Sequence, residues 1–170
     1  DSIIIEVGCG DGTDANYFAS VGYDVLAFDQ TIDGVCYPET KRLKYVGINN
    51  FTEFQRHIAN LSMTNRNLVI YNRFFLHAIS EDEENMLLRS LDEALSDGDL
   101  FITEFRTMAD MDRTKVTNRH YRRFQLLDDV LQKLKNYNYT ALYSCEGRGM
   151  AKYKTDDAVV GRVIAIKNAN

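Results

Sequence analysis

The sequence predicts an α/β fold built on a doubly wound, mainly parallel sheet of about seven strands, with an antiparallel strand near one edge. Two observations lead to this prediction. Short apolar runs rich in β-branched residues alternate with segments of helical periodicity along the chain. The first of these runs ends in a cluster of glycines, as strands do where they turn directly into a helix. Such alternation implies right-handed crossovers and a ligand crevice beyond the carboxyl ends of the strands.

The elements follow in order along the chain. Strands are predicted at 3–7, 25–29, 43–48, 68–71, 100–105, 141–143 and 159–166. Helices are predicted at 13–21, 51–61, 86–95 and 126–134. Ser80 and Glu83 have the spacing of a capping box, which indicates where the third helix begins.

The composition predicts one globular domain over residues 1–170. A hydrophobic content of 45% with 26% charged residues is typical of a chain that folds around an apolar core. A single proline and scattered glycines leave no linker-like stretch. The chain starts at Asp1, without a methionine, which is compatible with a missing N-terminal segment.

The cysteines and the net charge indicate the cellular compartment of the protein and the kinds of partner that it binds. Cys9, Cys36 and Cys145 lack paired metal-ligand spacing, so we expect reduced thiols, a cytoplasmic protein and no metal site. No apolar run approaches the roughly 20 residues that cross a bilayer, and we expect no membrane span. The formal net charge of −5 argues against nucleic acid as a partner, because phosphate-backbone binding needs a clustered basic face. The sequence does not indicate an oligomeric state.

The glycines after the first strand predict a nucleotide-like cofactor. A glycine turn between a strand and a helix lets a ligand approach bare backbone and the N–H groups of a helix terminus. Gly8, Gly10 and Gly12 have the spacing G-x-G-x-G, whereas a dinucleotide turn has its third glycine three residues after the second. The pattern therefore departs from the fingerprint of NAD-binding proteins. NAD stays open as the alternative cofactor.

Glu6 and these three glycines together resemble the first motif of class I S-adenosylmethionine-dependent methyltransferases. Residues 97–100, before the fifth predicted strand, are also similar to the family. The resemblance covers nearly the whole chain. It implies a Rossmann-like fold, S-adenosylmethionine as cofactor and S-adenosylhomocysteine as product. Residues 71–79 and 120–124 further resemble a bacterial subgroup associated with capsule and surface-glycan biosynthesis.

The resemblance implies a set of cofactor-binding residues. Asp29 closes the second strand and resembles the family's ribose-binding carboxylate, which accepts hydrogen bonds from both hydroxyls. Glu6 takes the position that supports the methionine end of the cofactor. Asn49 stands near the adenine, where the family usually has an acidic residue, and a loop asparagine is also a common turn former. The full set is Glu6, Gly8, Cys9, Gly10, Gly12, Asp29 and Asn49.

Four arginines are candidates for binding a small-molecule acceptor. Three of them follow predicted strands, and the carboxyl ends of neighbouring parallel strands face one crevice. The fourth lies in a basic insert before the last helix. Planar guanidinium groups suit phosphate or carboxylate, so we expect an anionic acceptor. The alternative is that the arginines pair with nearby acids such as Asp110. The four are Arg73, Arg106, Arg122 and Arg148.

The need for a catalytic base depends on the acceptor. Methyl transfer from a sulfonium is an in-line displacement in which the enzyme fixes distance and angle, and an anionic oxygen needs no base. For a sugar hydroxyl, the candidate bases are His77, His120, Glu104 and Tyr121. His77 is the first choice because it follows strand four and because an unperturbed histidine titrates near neutrality. The alternative is that His77 is simply packed among its apolar neighbours.

These observations favour O-methylation of a small anionic acceptor, such as a phosphorylated or acidic sugar or a phosphate-like group of a surface glycan. Two other functions stay open at this point. One is a methyltransferase for a neutral metabolite. The other is a non-catalytic fold relative that binds the cofactor as a sensor or a scaffold.

Overall fold

Seven strands form one sheet in a computed structural model that describes residues 2–113, 115–116 and 121–169. The strand order is β3-β2-β1-β4-β5-β9-β6, and β7 pairs with β8 in a separate hairpin. The strands are β1 (Ile3–Val7), β2 (Asp24–Asp29), β3 (Leu43–Gly47), β4 (Leu68–Arg73), β5 (Leu100–Arg106), β6 (Tyr139–Gly147), β7 (Lys152–Tyr153), β8 (Asp156–Asp157) and β9 (Val160–Lys167).

The direction of the strands matches the sequence prediction. β1 to β5 pair in parallel, and β9 runs antiparallel to both of its neighbours, β5 and β6. The antiparallel strand is thus second from one edge of the sheet. All five residues of β1 are buried, as expected for a strand at the centre of a sheet that is covered on both faces. The predicted α/β class and the doubly wound, mainly parallel sheet are confirmed.

Helices cover the two faces unequally. The helices are α1 (Thr13–Ser20), α2 (Phe51–Ser62), α3 (Glu81–Ala94) and α4 (Leu127–Asn136). Apolar residues of α2, α3 and α4 pack with β1, β4 and β5 in the larger core. On the opposite face, Ala15 of α1 packs with Ile4, Val25, Ala27 and Leu43 in a smaller cluster. Because β1 to β5 are parallel, their carboxyl ends lie along one edge of the sheet, between the two layers of helices.

The start of α3 confirms the predicted capping box. The Glu83 main-chain N–H donates to Ser80 Oγ at 3.2 Å, and the Ser80 N–H donates to Glu83 Oε2 at 2.7 Å. The first turn of a helix leaves main-chain N–H groups without acceptors inside the helix, and the capping box gives acceptors to two N–H groups at this helix start. The β7–β8 hairpin and the full length of β6 were not predicted, since only 141–143 was expected as a strand there.

No helix in the described part of the chain combines the length and the apolar character that a membrane crossing requires.

Asp99 determines where two neighbouring strands begin. Its side chain is buried, and it accepts hydrogen bonds from the Leu68 N–H at 2.7 Å and from the Ser96 N–H at 2.9 Å. Leu68 is the first residue of β4, and β5 begins immediately after Asp99. The carboxylate therefore ties the start of β4 to the turn that leads into β5.

Replacing Asp99 with alanine should lower the free energy of unfolding by about 2–4 kcal/mol, because two N–H donors lose a charged acceptor. Asp97→Ala is the matched control, since Asp97 lies two residues away and is exposed. We expect the control to change stability by less than about 0.5 kcal/mol. Urea denaturation followed by circular dichroism measures both variants. Similar losses in the two variants would contradict this role for Asp99.

Candidate active site

A cavity of about 460 Å³ lies at the carboxyl ends of β1 to β4. Each strand contributes the residues that directly follow it, and the start of α3 closes one side. The lining includes Val7 and Gly8 after β1, Asp29 and Gln30 after β2, residues 48–51 after β3, Phe74 and Phe75 after β4, and Met86 of α3. We call this the first cavity. Its volume is in the range of small-molecule binding sites.

The glycine turn after β1 meets the first cavity at Gly8, whereas the other predicted cofactor residues of this segment, Glu6, Cys9, Gly10 and Gly12, stand outside its lining. Gly8, Gly10 and Gly12 have left-handed backbone angles, with φ of 79°, 53° and 80°. A side chain at Gly8 would overlap the Phe75 ring, and one at Gly12 would lie 2.6 Å from the Tyr45 hydroxyl oxygen. At Gly10, by contrast, no atom lies within 4 Å of the position of a side chain. The turn therefore needs glycine at each position for its backbone, and it leaves open space above Gly10.

Asp29 connects the end of β2 to the glycine turn. Its Oδ2 accepts a hydrogen bond from the Gly10 N–H at 2.9 Å, and its Oδ1 is 3.4 Å from the Thr31 N. The carboxylate also lines the first cavity. The two sequence motifs, 19 residues apart, thus meet directly in the structure.

Asn49 and Asn50 shape the start of α2 beside the same cavity. The Asn49 main-chain N–H donates to Glu53 Oε2 at 3.0 Å, and Asn50 Oδ1 accepts from the Glu53 N–H at 3.0 Å. Both asparagines line the first cavity. The structure therefore places Asn49 in the lining of the first cavity, and it also gives Asn49 the local contact of a turn former.

Glu6 is buried behind the glycine turn. Its side chain is 3% exposed, and its Oε2 has no hydrogen-bond partner among the described residues. Burial, and then repulsion from Asp14, raise the pKa of Glu6 to about 8, although Arg73 acts in the opposite direction. The Glu6 carboxyl is therefore mostly protonated at neutral pH. Neighbouring Cys9 is buried too, and burial followed by the nearby Glu6 charge raises the pKa of its thiol to about 12.

The raised pKa of Glu6 predicts a specific pH dependence of stability. The folded protein holds this proton more tightly than the unfolded chain, where Glu6 titrates near pH 4.5. The resulting stabilisation is complete below pH 4.5 and is lost as the pH rises to about 8. The free energy of unfolding, relative to Glu6→Gln, should therefore fall by up to about 1.4 kcal/mol per pH unit in that window. Urea denaturation of both proteins at several pH values measures it, and parallel pH profiles would contradict the burial of Glu6.

A second cavity, of about 410 Å³, adjoins the first at the ends of β4 and β5. Phe74 lines both cavities and so forms a wall between them. On its far side the second cavity is closed by the β7–β8 hairpin. The lining is Arg73, Phe74, His77, Arg106, Arg122, residues 150–153 and Asp156.

Phe74 keeps this position with an unusual backbone. Its φ is 56°, in the left-handed region that bulky residues rarely adopt. The Phe74 N–H donates to the Glu104 carbonyl oxygen at 2.8 Å, which ties it to β5. The guanidinium carbons of Arg73 and Arg106 lie 5.8 Å and 5.6 Å from the ring centroid. The ring is therefore fixed between two cationic side chains at the boundary of the cavities.

Arg106 is held by two buried carboxylates. Its Nη1 donates to Asp110 Oδ2, and its Nη2 donates to Asp156 Oδ2, both at 2.6 Å. Burial alone would raise the pKa of Asp110, but hydrogen bonds from Arg106, from the Val159 N–H and from Lys115 outweigh it and keep that pKa below its usual value. The charge of Arg106 is thus compensated within the protein. For this residue, the structure favours pairing with nearby acids over the binding of an anionic acceptor.

The other candidate arginines differ in their surroundings. Arg73 is half exposed, and its Nε lies 3.1 Å from Asp14 Oδ2. Arg122 lines the second cavity, and burial, together with the nearby charge of Arg106, lowers its pKa. Arg148 pairs with Asp157 at 3.1 Å and stands outside the lining of both cavities. The structure therefore brings Arg73, Arg106 and Arg122 together, but not Arg148.

Among the candidate bases that belong to the described residues, His77 is the one that lines a cavity. Its side chain is 3% exposed and lines the second cavity. Glu104 is also buried, but its Oε2 accepts from Arg162 Nε at 2.6 Å and it lines neither cavity. Tyr121 is 58% exposed and likewise lines neither cavity. His120 lies outside the described residues.

Several lining residues were missed by the sequence analysis. Gln30 and Met86 line the first cavity, and Lys152 and Tyr153 line the second. Gln30 directly follows Asp29, so its place after a strand was a usable signal. Lys152 and Tyr153 belong to the hairpin that was not predicted. Among the described residues, no group of three or more histidine, cysteine or acidic side chains is arranged to hold a metal ion.

Comparison with solved structures identifies the fold. A methyltransferase from Anabaena variabilis, described as S-adenosylmethionine-dependent, aligns with a TM-score of 0.72 and 15% identity over 97% of this chain and 76% of its own. One from Methanosarcina mazei has a TM-score of 0.68 and 14% identity over 99% of this chain and 93% of its own. The 1,6-didemethyltoxoflavin-N1-methyltransferase of Burkholderia thailandensis, with its substrate and S-adenosylhomocysteine bound, has a TM-score of 0.62 and 15% identity over 98% and 71%.

These similarities show that the chain has the Rossmann-like fold of S-adenosylmethionine-dependent methyltransferases, as the motif resemblance implied. No family model matches the sequence, and no curated protein matches it.

Proposed function

We propose that the chain is an S-adenosylmethionine-dependent methyltransferase that binds its cofactor in the first cavity and a small anionic acceptor in the second. The observation that carries the proposal is the pairing of these cavities across Phe74. Gly8 of the glycine turn and the Asp29 carboxylate line the first, and four of the ten residues that line the second are arginine or lysine. Adjoining cavities place a donor and an acceptor near each other, and in-line transfer requires the reacting atoms to meet beside the Phe74 ring.

The residues of the first cavity fit the adenosyl cofactor. Asp29 supplies a carboxylate oxygen that suits vicinal ribose hydroxyls. Ile48, Phe51 and Ile79 supply apolar surface for a purine, and the space above Gly10 is open. Glu6 has a buried oxygen without a hydrogen-bond partner among the described residues, and we assign it to the methionine end. The similar structure from Burkholderia thailandensis has S-adenosylhomocysteine bound.

Calorimetry with S-adenosylhomocysteine tests the first cavity. Asp29→Ala should weaken binding by about 1.5–3 kcal/mol, because a charged acceptor of hydrogen bonds is lost. Asp33→Ala is the matched control, since Asp33 is an exposed acid in the loop after the same strand. It should bind as the wild type does. If the wild type binds NAD and not S-adenosylhomocysteine, the proposed function is wrong.

The second cavity supports an anionic acceptor even without the charge of Arg106. Arg73, Arg122 and Lys152 also line it; Arg73 pairs with Asp14 at its half-exposed end, and the lining acid Asp156 is paired with Arg106. The lowered pKa of Arg122 reflects a site in which burial and a neighbouring cation disfavour its charge. An anion in this cavity would relieve that repulsion, as phosphate and carboxylate do beside guanidinium groups.

The chemistry of transfer suits such an acceptor. S-adenosylmethionine supplies a methyl group on a sulfonium, so that an oxyanion forms the C–O bond as the C–S bond breaks and no proton is released. The protein then has to orient the oxygen and exclude water, which are functions of the lining residues. The resemblance to a subgroup of capsule and surface-glycan biosynthesis suggests a phosphorylated or acidic sugar, and we include this acceptor class in the proposal.

Turnover with a hexose phosphate, a hexuronic acid and the parent neutral hexose tests the acceptor class. We expect formation of S-adenosylhomocysteine with the charged sugars and not with the neutral one. Arg122→Met should lower kcat/KM about tenfold or more, because a charged contact to the acceptor is lost. Arg89→Met, on the exposed face of α3, is the control and should keep full activity. Equal turnover of the neutral hexose would favour the alternative of a neutral acceptor.

A further inference from the structure

The ring of Phe75 packs directly on the main chain of Gly8. A side chain at Gly8 would overlap Cδ2 of this ring, and it would lie 3.0 Å from Cγ and from Cε2. Carbon atoms that are not bonded pack at roughly 3.5–4.0 Å, so a side chain and the ring cannot share this space. The ring can therefore hold its position only because residue 8 is glycine.

Hydrogen bonds and core packing hold both partners of this contact in place. The Gly8 and Cys9 N–H groups donate to the Phe28 carbonyl oxygen, at 2.8 Å and 3.0 Å, which ties the turn after β1 to β2. Phe75 is partly buried against the larger core, and its carbonyl oxygen accepts from the Ala78 N–H at 2.8 Å. The contact therefore joins the segments that follow β1 and β4, and it belongs to the fixed frame of the first cavity.

The three glycines of the turn differ in what occupies the place of a side chain. At Gly8 this place is filled by the Phe75 ring, and at Gly12 it lies 2.6 Å from the Tyr45 hydroxyl oxygen. At Gly10 it is open. Gly8 and Phe75 both line the first cavity. At Gly8, the missing side chain thus makes room for another part of the protein, whereas the motif alone suggested room for a ligand.

We infer that Gly8 is glycine in order to seat the Phe75 ring, and that Phe75 is a cofactor-binding residue of the first cavity. The inference rests on the proposed function, which places the adenosyl cofactor in this cavity. Beside Gly8, the cofactor then meets an aromatic ring in place of bare main chain. Such a ring offers a large and rigid apolar surface, and it sets how closely the cofactor approaches the end of β1.

Alanine at position 8 separates this role of Gly8 from a direct contact with the cofactor. If the ring needs the space, the added methyl group pushes the Phe75 ring into the first cavity, and removal of the ring reverses the effect. If the cofactor needs the space, the methyl group blocks it with or without the ring. The backbone strain of alanine at a φ of 79° is common to both proteins and cancels in the comparison.

Calorimetry with S-adenosylhomocysteine on the two single variants and the double variant makes this comparison. Gly8→Ala should weaken binding about tenfold or more, because the displaced ring fills the cavity. Phe75→Ala should weaken it about three- to tenfold, because apolar contact is lost. In the Phe75→Ala protein, the addition of Gly8→Ala should weaken binding by less than about threefold. A further tenfold loss there, or unchanged affinity in Phe75→Ala alone, would overturn the inference.

Gly12→Ala is the matched control. Its φ of 80° is nearly that of Gly8, but an alanine there meets Tyr45 and not Phe75. Its effect on binding should therefore be the same, within about twofold, in the wild type and in Phe75→Ala. If Phe75→Ala rescued Gly12→Ala as well, the rescue would reflect a general enlargement of the cavity, and the specific pairing of Gly8 with Phe75 would be wrong.

Thermal unfolding without ligand shows whether the contact supports only the fold. Rescue of the unfolding temperature in the double variant, without rescue of affinity, would leave Phe75 as a structural partner of Gly8 and overturn its cofactor role. If Gly8→Ala does not fold, the comparison of Phe75→Ala with the double variant still decides. If the double variant fails to fold while Phe75→Ala folds, the ring is not what residue 8 makes room for.

The wild type separates this inference from the proposed function. If it does not bind S-adenosylhomocysteine, the proposed function is wrong and the cofactor role of Phe75 is wrong with it. If it binds and the double variant shows no rescue, the cofactor site stands and the inference about Gly8 and Phe75 is wrong.

Discussion

The buried interaction of Arg106 with Asp110 and Asp156 organises the part of the molecule that surrounds the second cavity. It joins the end of β5, the turn after β5 and the β7–β8 hairpin through two contacts of 2.6 Å. Removing one partner of a buried ion pair leaves the other charged and desolvated, which is far more costly than losing a surface pair. The hairpin itself has two-residue strands. Arg148 also pairs with Asp157 in this hairpin, and Arg162 donates to the Met150 carbonyl oxygen just before it, so Arg106 is one of several residues that hold the hairpin over the second cavity.

The same residue acts through its main chain as well as its side chain. While the guanidinium contacts the hairpin, the main-chain N–H of Arg106 donates to His77 Nδ1 at 3.3 Å. One position at the end of β5 therefore contacts both the hairpin and a buried histidine that lines the second cavity. The first cavity is organised differently, by Asp29 and the glycine turn, and those contacts join neighbouring parallel strands. The two halves of the site therefore have separate structural supports.

Much of the fold was predictable because its signals are local. Apolar runs, glycine turns and the capping box of α3 each act within a few residues. Asp29 and the turn at Gly10 were each identified as motifs in the sequence, whereas their direct hydrogen bond is a finding of the structure. The hairpin could not be predicted, because two-residue strands are too short to show an alternating pattern. The partnership of Arg106 with Asp156 spans 50 residues and exists only once that hairpin is in place. The sequence showed that arginines follow several neighbouring strands. It could not show which of these arginines pair with acidic side chains.

Phe74 has a consequence for how the two ligands influence each other. Its ring is a shared partition, held in a left-handed backbone conformation between the cavities. Any ligand on one side that shifts the ring reshapes the space on the other side. Thermodynamic linkage requires that such an effect be equal in both directions, so that each ligand alters the affinity of the other by the same factor. Cooperativity between cofactor and acceptor thus has a physical carrier in one aromatic side chain.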